Sequence, residues 1–292
     1  MRAFDLSDKG VYTQTKDWKA ADWIHVENPS NEDVEDLVAL FGIPKDYILD
    51  SLDEYEIPRQ EKVQNGAGED INLLIVLFPK MRSVREKYTE YHTYPLSIIR
   101  VNDTLITVCK ETPSFLTHIM NNESFKNEPA TTQHHIILYI LWELTRSFIR
   151  HLREIDGIIE DLQIQITSAT HNEYFYKLIA LHKSLVYFET SINKNHPLIT
   201  ESIHEAVLGD DVQSQELLRD ITDISNQAEV MVTESSKMID QLSEVFSSVI
   251  TNNLNNIMKV LTSITIVLTI PTIMAGFWGM NVDLPFENHP WA

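Results

Sequence analysis

Two textures divide the chain. Up to about residue 125, short β-branched or apolar runs alternate with turn residues, and 23–26, 71–78, 96–101 and 104–109 read as strands. Asn102-Asp103, between the last two, predicts a two-residue hairpin turn. Between the first two strands, Val34, Leu37, Val38 and Phe41 share one helical face. Ser30 after Pro29 predicts the N-cap of that helix, and Gly42 and Pro44 its end. Residues 64–68, Gln-Asn-Gly-Ala-Gly, predict a loop. After Pro129 the period becomes helical, with Ile137, Ile140, Leu141, Leu144, Phe148, Leu152, Ile155 and Ile159 in 3/4 spacing over 131 to about 166. A second helix is predicted from 174 to about 192, broken by 193–197. From about 210 to 280 only Pro271 interrupts a helical pattern of about 70 residues, or roughly 105 Å. One helix cannot bury its own apolar stripe, so a helix this long implies a bundle or a coiled-coil-like assembly.

The end of that pattern is different again. Residues 260–282 carry no charge. As a helix they cover roughly 35 Å, enough for a hydrocarbon core of ~30 Å. The span is not uniformly apolar. Asn255, Met258, Thr262, Thr265, Thr269, Thr272 and Gly276 are spaced 3, 4, 3, 4, 3 and 4. They fall within an arc of about 100° that holds every threonine of the span. Two readings are open on pattern alone. Thr and Gly pack membrane helices together, and the same stripe can form a water-facing wall, which requires several chains around an axis.

Composition narrows the class. The chain has 292 residues, 23 basic against 43 acidic, for a net charge of −20, with 43% apolar residues. That is a folded chain rather than a disordered one. The charge argues against nucleic acid as a partner, since phosphates need a basic face, and suits a surface that attracts cations. A single cysteine, Cys109, leaves neither an intrachain disulfide nor a cysteine zinc cluster. The first 16 residues are polar and do not read as a signal peptide. No Gly-rich phosphate loop, His-Glu-x-x-His or nucleophile elbow is present, so an enzyme is not expected. The His134-His135 pair reads as a helix surface.

The span closes on Gly276-Phe277-Trp278-Gly279-Met280-Asn281, followed by a loop with Asp283 and Glu287. An aromatic residue and Gly-Met-Asn at the end of a membrane helix resemble the CorA family of divalent-cation channels. Residues 255–262, Asn-Asn-Ile-Met-Lys-Val-Leu-Thr, resemble that family's approach to its first membrane helix. Residues 51–59, Ser-Leu-Asp-Glu-Tyr-Glu-Ile-Pro-Arg, resemble the signature of its amino-terminal domain. Leu218-Arg219-Asp220 also fits, so the resemblance covers nearly the whole chain.

The resemblance implies an α+β chain: an α/β cytoplasmic domain over 1–128, antiparallel long helices over 129–208, a stalk helix over 209–258, a pore-lining membrane helix over 259–281 and an external loop over 282–292. It implies a homopentamer in the cell membrane with that first domain in the cytoplasm. Five copies of Gly279, Met280 and Asn281 would form the outer entrance, where neutral carboxamides hydrogen-bond the water shell that Mg²⁺ gives up reluctantly. Glycine at 279 would let the chain turn sharply at the mouth. Asp283 and Glu287 would concentrate cations outside it. The lining positions carried over are Asn255, Met258, Leu261, Thr269, Thr272 and Gly276; Thr265 belongs to the stripe read independently. Met258 and Leu261 would form a constriction that closes by dewetting. Pro271 is offset by one residue from the proline of many relatives. Asp220 and Glu244 match positions where Mg²⁺ is sensed between cytoplasmic domains; Glu86 and Glu90 are candidates for the facing side. A second membrane helix and a basic tail are expected beyond Ala292, and with them a smaller negative charge. The expected ion is Mg²⁺, with Co²⁺ and Ni²⁺ as further substrates; a Zn²⁺ transporter of the same superfamily is the alternative. From another class, a single-span sensor with a coiled-coil stalk explains the long helix but not the stripe joined to Gly-Met-Asn.

Overall fold

The computed structural model of the chain describes residues 1–7, 10–84, 88–122, 132–166, 172–202 and 212–279. Seven strands form one mixed sheet: β1 (Arg2–Leu6), β2 (Tyr12–Thr15), β3 (Trp23–Glu27), β4 (Arg59–Gln64), β5 (Asp70–Val84), β6 (Tyr88–Val101) and β7 (Thr104–Cys109). Their order is β2-β1-β3-β7-β6-β5-β4. Only β3 and β7 pair in parallel; the other neighbours are antiparallel. The Asn102-Asp103 turn forms as predicted, with Asn102 at a φ of 49°.

The sheet is covered on both faces. Helices α1 (Asn31–Phe41) and α2 (Lys45–Leu49) cover one. The helix α1 begins with a full capping box: the Ser30 hydroxyl accepts from Asp33 N–H while the Asp33 carboxylate accepts from Ser30 N–H. It ends at Gly42, left-handed at a φ of 65°, as the sequence predicts. Helices α3 (Ser114–Met120), α4 (Gln133–Ile166), α5 (Asn172–Pro197) and α6 (Val212–Trp278) lie against the other face. Alternate residues of β5 therefore enter different cores: Ile71, Leu73 and Ile75 join α1 and α2, while Leu74, Val76 and Phe78 join the long helices. A strand buried on both faces reads as an unbroken apolar run, which is why 71–78 was conspicuous.

Four expectations need correction. The edge strands β2 and β4 and the short β1 were not predicted, because their side chains are half polar and only a neighbouring strand makes them strands. The strands β5 and β6 run well beyond the predicted 71–78 and 96–101. The helix α5 does not break at 193 but continues to Pro197. Its Asn195 amide accepts from Leu77 N–H (3.0 Å) and donates to Leu77 C=O (2.7 Å), capping β5 just past Ile75, the last residue that β4 covers. His135 is buried, not on a helix surface, and the His134 ring meets the Arg100 guanidinium.

Candidate functional site

The site is built on α6. Its first part follows a packed-helix pattern, with Leu217, Leu218, Ile221, Ala228, Val232, Ile239, Leu242 and Phe246 buried against α4 and α5. Small residues at Ser214, Ser225 and Ser235 bring the helices close. Ser235 Oγ donates to Asp156 Oδ1 (2.5 Å), and Ser225 Oγ lies 2.9 Å from His196 Nδ1. Beyond Val249 the packing ends. Every residue from 250 to 279 is exposed, and the apolar window of the helix has none of its length buried inside the chain. Among the described residues, α6 is the one helix long and apolar enough to cross a membrane.

The predicted stripe lies on this bare segment. Asn255, Met258, Leu261, Thr262, Thr265, Thr269, Thr272 and Gly276 are all exposed, and the helix is continuous through Pro271. The hydroxyls of Thr265, Thr269 and Thr272 donate to the carbonyls four residues earlier, at 2.9, 2.7 and 2.8 Å. Their protons are thus used inside the helix, and the oxygen lone pairs point outward as acceptors. A Cβ added at Gly276 would meet nothing within 4 Å, so no contact among the described residues requires glycine there. At Gly279 the N–H still bonds Ala275 C=O (3.0 Å), and a Cβ would press on that oxygen at 3.2 Å. A side chain at 279 would require that turn to give by a few tenths of an ångström, and the backbone there is not left-handed. Met280, Asn281, Asp283 and Glu287 lie outside the described residues, as does Glu86.

The residues expected to sense Mg²⁺ are not brought together among the described residues. Asp220 is half-buried on α6 and Glu244 is exposed 24 residues further on, about 36 Å along the helix. Glu90 is buried and already paired with Lys183, and its carboxylate lies 2.9 Å from His92 Nε2. No group of three or more His, Cys, Asp or Glu suited to a metal ion occurs among the described residues. The 51–59 signature has a structural role. Arg59 is held by Asp50 (2.5 Å), Glu56 (2.5 Å) and Glu61 (2.6 Å), which ties the turn after residue 52 to the start of β4.

A three-layer domain joined without a break to a bare apolar helix defines the class: a folded domain continued by a helix long and apolar enough to cross a membrane. The family described as "CorA-like Mg2+ transporter protein" matches residues 18–292, and the chain belongs to that family. It is 26% identical to the cobalt/magnesium transport protein CorA of Methanocaldococcus jannaschii over 272 residues, 92% of this chain and 82% of that one. The complete structure of the CorA magnesium transporter of that organism superposes with a TM-score of 0.76 at 25% identity, covering 99% of this chain and 90% of that one. The cytoplasmic domain of ZntB from Vibrio parahaemolyticus shares the fold, with a TM-score of 0.65 at 14% identity over 85% of this chain and 96% of that one.

Proposed function

We propose that five copies of this chain form a channel for hydrated divalent cations, chiefly Mg²⁺ and also Co²⁺, entering through Gly279, Met280 and Asn281. The observation that carries this reading is the bare end of α6. A helix that leaves its own domain fully exposed for about 45 Å needs other surroundings. From Val260 on, all four threonines lie on one stripe and Ser263, bonded back to Lys259 C=O, stands off it, so membrane can cover the apolar remainder while copies of the stripe face one another. The outward oxygens of Thr265, Thr269 and Thr272 suit an ion that keeps its water, because the water shell of a cation presents hydrogen-bond donors. The curated relative is named for cobalt and magnesium transport, which supports the choice of ions. Ni²⁺ and Zn²⁺ belong to the test as competing substrates. Asp220 and Glu244 would sense internal Mg²⁺ with carboxylates of the adjacent copy, since the described residues of one chain assemble no ligand set around them.

The test is Mg²⁺ flux into liposomes containing the full-length protein, alongside mass measurement of the assembly in gentle detergent. A pentamer that conducts Mg²⁺, and loses that conduction with Asn281→Ala while remaining a pentamer, is expected. A monomer or dimer would sink the pore. Unchanged flux in Asn281→Ala would reduce Asn281 to a helix cap.

A further inference from the structure

On the flank of the soluble domain, far from the membrane segment, a cavity of about 560 Å³ opens between α4 and α6. Arg146, Arg150 and Arg153 line one wall, Ile224 and Gln227 of α6 the other, with Ile149 and Glu143 completing it. The three arginines stand at i, i+4 and i+7, so α4 stacks them on one face. Like charges at this spacing repel, and helix formation gives no reason to collect them. The chain carries 20 more acids than bases, yet these three cations are largely left to themselves. Arg146 lies over the Trp142 ring at 4.4 Å and reaches Glu143 only at 3.6 Å. Neither Arg150 nor Arg153 has a carboxylate within 4 Å among the described residues. Glu154, next to Arg153, is hydrogen-bonded to Tyr91 Oη and His151 Nδ1, both at 2.9 Å, and feels Arg150 only as a charge beyond contact distance.

We propose that this cavity binds a soluble phosphoryl anion, held by the forks of Arg150 and Arg153 and bridged to the stalk helix through Gln227. A guanidinium presents paired N–H donors that match two oxygens of one phosphoryl group. The volume lies within the range of small-molecule sites and exceeds what a single phosphate fills, leaving room for a diphosphate or the triphosphate of a nucleotide. Ile149 and Ile224 supply apolar walls that water solvates poorly. A lipid headgroup is excluded as the source if residues 260–278 mark the membrane, because Gln227 lies about 50 Å up the helix from Val260. That exclusion, and any link from the site to a membrane or a pore, rests on the channel reading. The cavity itself does not, so ion flux can fail without touching it. Because the site joins α4 to α6, its occupant would brace the helix that runs to the pore.

Calorimetric titration of the metal-free, full-length protein in detergent, with inorganic phosphate, pyrophosphate and ATP in turn, tests this. Saturable binding of pyrophosphate, tighter than phosphate, is expected. ATP binding equal to pyrophosphate identifies a site that reads phosphoryl groups alone, and ATP binding tenfold tighter identifies a nucleotide site; both support the proposal. Arg150→Gln with Arg153→Gln should weaken binding at least about tenfold, with helix content and assembly mass unchanged. No saturable binding of any probe at about 1 mM would overturn it. So would undiminished binding in the double variant. If the wild type binds no anion and the double variant falls apart into smaller assemblies, the arginines serve carboxylates of an adjacent copy, and the anion site is wrong.

Discussion

Residues 212–249 and 250–278 belong to one helix with one backbone geometry, yet they meet opposite surroundings. The upper stretch hides a single stripe, from Leu217 to Phe246, against α4 and α5 and leaves Glu216, Asp223, Glu229 and Glu234 in water. The lower stretch is exposed throughout its described residues: Ile264, Val267, Leu268 and Ile270 stand 52–66% exposed. A one-sided apolar stripe is satisfied by the chain's own helices; an apolar surface all round must be satisfied by something else. The contrast teaches that continuity of a helix says nothing about continuity of its solvent. The boundary falls where the core-facing spacing ends, near Val249, about ten residues before the last charge of the helix at Lys259.

The sharpest way to break this comparison is to delete the same atoms in both halves. Ile221→Ala, at a fully buried site, should cost about 2–5 kcal/mol of domain stability. Ile266→Ala, 57% exposed, should leave that stability within about 0.5 kcal/mol. Chemical denaturation followed by circular dichroism reads both, and equal costs would show that the lower half is packed on its own domain after all.

The domain that anchors the upper half has its own pH limit. His25 is buried between Thr107 Oγ1 and Thr112 Oγ1, both at 2.9 Å, and burial pushes its pKa down to about 4. The folded state thus keeps the ring neutral where the unfolded chain would protonate it. That contribution is present in full above pH 6.5 and is lost as pH falls toward 4, amounting to about 3 kcal/mol in all. His25→Gln should flatten the loss between those values in thermal unfolding, while residues 250–278, which carry no histidine, do not change it.

Within the lower half, the stripe can be separated from its neighbours. Thr269→Leu should reduce Mg²⁺ flux by about tenfold, whereas Ile266→Leu, off the stripe, should not. Equal effects would favour helix packing over a water-facing wall. The smallest effect is expected in the upper half. Asp220→Ala should shift closure by internal Mg²⁺ only a few-fold, because one carboxylate supplies part of the differential affinity. An unshifted inhibition curve would make Asp220 an ordinary residue of the stalk.

Features that one segment decides were legible in the sequence. The Ser30 cap, the Gly42 stop, the Asn102-Asp103 turn and the three long helices each follow from local preference and period, and the stripe from Asn255 to Gly276 was read from spacing alone. Features that need a distant partner were not. Asn195 looked like part of a helix break, but its amide satisfies Leu77, 118 residues away. The strand β4 carries Arg59, Glu61 and Lys62 and becomes a strand only beside β5. The spacing of Arg146, Arg150 and Arg153 was available, but without α6 opposite them three arginines on a helix are only a charged face.

The sequence by itself therefore determined the central strands, the capped first helix, the length of the last helix and the chemistry of its bare end, because caps, turns and periodicity act over a few residues. The tertiary structure decided which side of α6 is buried, where that burial stops, that Glu90 is already paired, and that a cavity opens beside three arginines. Those depend on surfaces brought together from far along the chain, and no local preference of the backbone encodes which surface will be opposite.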